Sequence, residues 1–104
     1  MGERHRAAGL FLVQFRSCPP SVGDAVEMHR ALLRAVTRLG AAGTAIRWCG
    51  AWLLPDECRC LCLVQAVREA DVVLARDLAA LPTASVAPAR ALGGPPLPRT
   101  GSRS

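Results

Sequence analysis

CRCLCLVQ, residues 58–65, carries the pattern from which the fold is read. Side chains alternate across a strand. Period 2 therefore sets Cys58, Cys60, Cys62 and Val64 on one side, and Arg59, Leu61, Leu63 and Gln65 on the other. The first set is small and apolar and suits a face packed under helices. The second mixes leucines with an arginine and an amide, and suits a sheet face that the chain's own helices leave open. GLFLVQFR, residues 9–16, divides the same way: Phe11, Val13 and Phe15 join Cys60, Cys62 and Val64, while Leu12 and Gln14 join the open side.

Working outward, LLPDE (53–57) carries a Pro-Asp turn signal. Before it, TAIRWCGAW (44–52) reads as a strand with Gly50 as its expected bulge. Residues 22–39 are predicted as a helix. Ala25, Met28, Leu32, Val36 and Leu39 form its apolar stripe, and Glu27, Arg30, Arg34 and Arg38 its solvated face. Gly40 is expected to stop it, with Gly43 extending the turn. The prolines of SCPPSVG (17–23) separate this helix from the first strand, and Ser21 with Asp24 reads as its N-terminal cap. Downstream, residues 69–81 are predicted as a second helix with a stripe of Ala70, Val73, Leu74, Leu78 and Leu81, ended by Pro82. Residues 85–89 form a last strand, confined to an edge by Pro88.

The element order is βαββαβ, an α+β chain of the ferredoxin-like type. Both helices are expected on one face of a four-stranded antiparallel sheet, with the first and third strands central. The other face lacks a cover, and a second copy of the chain is the simplest one, giving a dimeric α/β-barrel-like assembly. Residues 9–92 form the domain. MGERHRAA (1–8) and GGPPLPRTGSRS (93–104) read as tails.

The chain has 104 residues, enough for one domain, and is 51% hydrophobic with a net charge of +5. All 13 basic residues are arginine, and lysine, asparagine and tyrosine are absent. This looks like codon bias in a GC-rich genome and weakens any reading of arginine number as phosphate binding. Arg4, Arg6 and Arg103 lie in the tails, and two Phe and two Trp are few aromatics for a nucleic-acid surface, so nucleic acid is not an expected partner. The apolar stretch 7–13 ends at Gln14 and Phe15 without a signal-peptide cleavage site, and no run reaches the roughly 20 apolar residues of a membrane span. The expected location is the cytoplasm, with the five cysteines as reduced thiols.

The segments FLVQF (11–15), LGAAG (39–43), IRW (46–48), PDE (55–57), CLCLVQA (60–66) and READ (68–71) with LAALP (78–82) resemble those of small actinobacterial ferredoxin-like proteins of unknown function. Some members of that family are described as nickel-binding and dimeric. The resemblance covers about residues 10–91 and implies a homodimer that binds nickel, another transition metal or a small ligand. Members of the family often carry glutamate where this chain has Gln14 and Gln65. An amide is neither an anionic ligand nor a proton acceptor at neutral pH.

Two sets of candidate residues follow. Cys58, Cys60 and Cys62, with His29 on the flank of the first helix's apolar face, are the candidate metal ligands. Residues two apart on a strand are about 6.5 Å apart, wide for bonds of about 2.3 Å. The competing reading takes these cysteines as small buried hydrophobes. Gln14, Arg47, Arg59 and Gln65, expected together on the open face, are the candidate ligand-binding set, with Trp48 as an alternative to Arg47. No catalytic motif is present, and Asp56 and Glu57 read as a solvated turn. Three functions are compatible with these residues: a homodimeric metal- or ligand-binding protein, a cofactor-free dimeric α/β-barrel enzyme, and a structural or interaction module.

Overall fold

A computed structural model describes residues 8–16 and 22–93. The expected break at 17–21, the Ser21 cap and most of both tails lie outside the described residues. The elements run β1 (Gly9–Arg16), α1 (Val22–Ala41), β2 (Ile46–Leu54), β3 (Arg59–Ala66), α2 (Glu69–Leu78) and β4 (Ser85–Ala89), with a 3-10 turn at Pro55–Glu57 between β2 and β3. The four strands form one antiparallel sheet in the order β2-β3-β1-β4. This α+β arrangement is compatible with a ferredoxin-like fold.

The two-fold division of β1 and β3 is present in the packing. Val13, Cys62 and Val64 are fully buried, and Phe11, Phe15, Cys60 and Ala66 nearly so. They share one core with Leu32, Ala35 and Val36 of α1 and Val72 and Ala75 of α2. Both helices therefore cover the same sheet face. Leu12, Gln14, Leu61, Leu63 and Gln65 alternate with the core residues and are each half-buried. The edge position of β4 accommodates Pro88, as expected.

Four expectations are corrected. Cys58 is not on the strand. Its N–H donates to the Pro55 carbonyl to close the 3-10 turn, which holds it in the left-handed conformation (φ 53°), and β3 begins one residue later. Gly40 does not stop α1. It lies inside the helix, where a Cβ would stand 3.3 Å from the Ile46 carbonyl oxygen, so it marks the close approach of β2 to the helix. The stop is Gly43 at φ 103°, with its N–H donating to Gly40 and that of Thr44 to Leu39, a Schellman cap. The bulge in β2 falls between Trp48 and Gly50, not at Gly50.

The fourth correction concerns α2. Its buried side is Asp71, Val72 and Ala75, and Leu74 and Leu78 of the expected stripe are 44% and 55% exposed. The segment is apolar around most of its circumference, so periodicity offers two faces. Alanine on the inner face lets α2 lie close to Ala35 of α1, and Arg68 covers the Asp71 carboxylate at 3.1 Å. The helix ends three residues earlier than expected. Ala80 takes φ 60°, and bonds from Ala80 N–H to Asp77 and Leu81 N–H to Arg76 form a second Schellman cap without its usual glycine.

Two stability predictions follow, each checked by chemical denaturation. Leu32→Ala should cost about 2–5 kcal/mol, whereas Leu78→Ala should cost less than about 1 kcal/mol. Ala80→Gly should stabilise the protein by about 0.5–1 kcal/mol, because relief of the left-handed alanine outweighs the added freedom of the unfolded chain.

Candidate functional site

The open sheet face has an apolar middle and polar ends. Leu12 stands opposite Leu63, and Leu61 opposite Trp52. Trp52 is 53% exposed. Its ring lies across Gly50, where a Cβ would stand 3.1 Å from it. Glycine in β2 thus provides the seat for an indole laid flat along the face.

The four candidate ligand-binding residues share this face but do not form one cluster. Gln65 stands opposite Leu10 on one side and Arg47 on the other. Gln14 is four residues further along β1, about 13–14 Å away. The pairs are therefore Arg47 with Gln65 at one end and Gln14 with Arg59 at the other. Arg59 Nη1 donates to Gln14 Oε1 at 2.7 Å, and Nη2 to Glu57 Oε1 at 2.6 Å. Each end opens on a cleft. The one beside Arg47 and Gln65 has a volume of about 260 Å³ and includes Thr44 and Ile46. The one beside Gln14 and Arg59 has a volume of about 330 Å³ and also includes Arg16, Met28, Thr83 and Ser85.

The candidate metal ligands are dispersed. Cys60 and Cys62 lie under the helices, and Cys58 sits at the turn. His29 reaches the sheet, as expected. Its ring lies 6.2 Å from that of Trp48, and it lines a small cleft with Cys60 and Leu53. Burial raises the thiols of Cys60 and Cys62. Charge and hydrogen bonding from Cys60 raise Cys62 further, so the thiolates that a metal needs are disfavoured there. Among the described residues, no three His, Cys, Asp or Glu side chains are placed to hold a metal ion, so these residues do not fit the nickel site that the resemblance implies. Cys18 and His5 lie outside the described residues.

Several residues of this face escape sequence reasoning. Arg16 has the same parity as Gln14 and is the one that period 2 makes legible. Ser85 is placed opposite Gln14 by the β1–β4 register, which no local pattern encodes. Cys49 sits at the bulge near Arg47. Burial raises its thiol, against the opposing effects of Arg47 and the Gln65 backbone.

The buried thiols impose a pH dependence. In the unfolded chain they titrate near about 8.5. Above that pH the unfolded chain releases protons that the folded chain keeps. The stability is thus fully present below about pH 8.5 and is lost as the pH rises. The denaturation midpoint should fall between about pH 8 and pH 10, and the fall should be smaller in Cys62→Ala.

Among the described residues no helix is long and apolar enough to cross a membrane. Comparison with protein-family models, with curated proteins and with solved structures finds no match to this chain.

Proposed function

We propose that this protein is a homodimeric ligand-binding module, in which two ferredoxin-like chains pack their open sheet faces together as a dimeric α/β barrel and leave a polar cleft at the end of the sheet for a small ligand. The observation that carries this reading is the half-exposed Trp52 beside Leu12, Leu61 and Leu63 on a face that neither helix covers. Aromatic residues at the centre of an apolar patch are typical anchors of protein interfaces. A second copy is the occupant because it brings the same apolar middle and the same polar ends. Four strands of five to nine residues present a face of roughly 400–500 Å² in projection, before side-chain relief is added. That approaches the roughly 600–800 Å² per partner of a specific interface.

The cleft favours a ligand over a reaction. Among the described residues the middle of the face carries Leu12, Leu61, Leu63 and Trp52 and no acid or base. The carboxylate at its end, Glu57, is engaged by Arg59. A small organic ligand fits better than a transition metal, because the described thiols and His29 do not converge.

Light scattering on the purified chain should give twice the 11.0 kDa mass of one chain at micromolar concentration. Leu12→Glu should weaken the dimer at least roughly a hundredfold while leaving the circular dichroism of the fold intact, because it places an unpaired carboxylate in the interface. A single-chain mass for the parent protein at high micromolar concentration overturns the reading.

A further inference from the structure

At the Gln14 end of the sheet, Arg16 closes β1 directly opposite Arg59, which opens β3. Like charges directly opposite on adjacent strands repel. Arg59 is held by Gln14 and Glu57, whereas the Arg16 side chain makes no hydrogen bond or ion pair with the described residues. Arg16 and Arg59 line the same cleft of about 330 Å³ as Gln14, Thr83 and Ser85, with Phe15 and Met28 as its apolar part.

The donors in this cleft are directional. Gln14 accepts from Arg59 through Oε1, which fixes its amide and leaves the two Nε2 hydrogens as donors. Ser85 lies opposite Gln14 on β4 and lines the cleft from the other side. Three strands thus bring Gln14, Ser85, Arg16 and Arg59 to one cleft whose described lining holds no carboxylate; Glu57 beside it is 59% exposed at the side chain and bonded to Arg59. Such an excess of donors and positive charge matches an oxyanion, and the apolar part matches a ligand with a hydrophobic body.

We propose that the Gln14–Arg16–Arg59–Ser85 cleft binds the oxyanion head, carboxylate or phosphate, of a small organic anion. This deepens the ligand-binding reading of the same end of the sheet. It does not depend on the dimer, because every residue named comes from one chain.

The test is isothermal titration of the full-length protein with benzoate and, separately, with inorganic phosphate, at an ionic strength held constant with chloride. Saturable binding of one or both at one site per chain is expected, and preference between them identifies the head group. Arg16→Gln should weaken binding at least tenfold. Gln14→Glu should abolish it by placing a carboxylate of the chain itself between the guanidinium groups. Arg34→Gln, on the exposed face of α1, should leave it within twofold. No saturable binding of either anion overturns the proposal, as does an equal loss in Arg16→Gln and Arg34→Gln, which indicates diffuse charge. The light-scattering mass is recorded on the same samples: a dimer that binds neither anion defeats this site alone, and a monomer that binds defeats only the dimer.

Discussion

Each side chain on a strand points away from the face its neighbour occupies, and the two central strands of this protein turn that constraint into its whole design. On β3, Cys60, Cys62, Val64 and Ala66 are buried, and the residues between them are not. On β1, Phe11, Val13 and Phe15 do the same, in register with Val64, Cys62 and Cys60. Two helices suffice to cover one side. The other side keeps Leu10, Leu12, Leu61, Leu63 and Trp52, which neither helix covers. A shift of register by one residue would exchange the two faces, so the burial of Val13 and Cys62 also determines which residues are presented outward.

The same alternation explains why the cysteines are conspicuous in the sequence and quiet in the structure. Cys60 and Cys62 have the parity of the core, where a thiol acts as a small hydrophobe and burial keeps it protonated. The amide and guanidinium side chains of the sheet have the opposite parity. At the ends of the strands, where helices no longer dictate apolar side chains, the open face carries Arg16, Gln14 and Arg59 at one end and Arg47 with Gln65 at the other. The number of arginines in the chain says little. What matters is that the β1–β3 register sets two of them directly opposite each other.

Much of the fold was legible because strand alternation and the α1 stripe are local patterns. Of the stripe, Ala25, Leu32 and Val36 are buried as the wheel predicts, and Met28 and Leu39 pack against the core partly buried. The orientation of α2 was not legible, since Val72 and Ala75 compete with Leu74 and Leu78 for the inner face, and the choice is made by the close approach to α1. Cys58 was misplaced because a left-handed residue at a turn end leaves no trace in a pattern of alternating cysteines. For the site, period 2 identified the face and four of its polar residues. It could not give the register, and so it joined Gln14 and Gln65, which lie at opposite ends. Ser85 reaches the cleft through long-range pairing alone, and Thr83 lines it from the connection just before β4.

Trp52 is placed to report whether a second chain covers the open face. The chain has two tryptophans, so Trp48→Phe leaves Trp52 as the sole emitter. Its fluorescence should be blue-shifted and shielded from acrylamide at micromolar concentration, and should move to the red and lose that shielding on dilution or in Leu12→Glu. An emission that is red-shifted and freely quenched at every concentration would contradict the account, because it would leave Trp52 as half-exposed in solution as it is in the single chain.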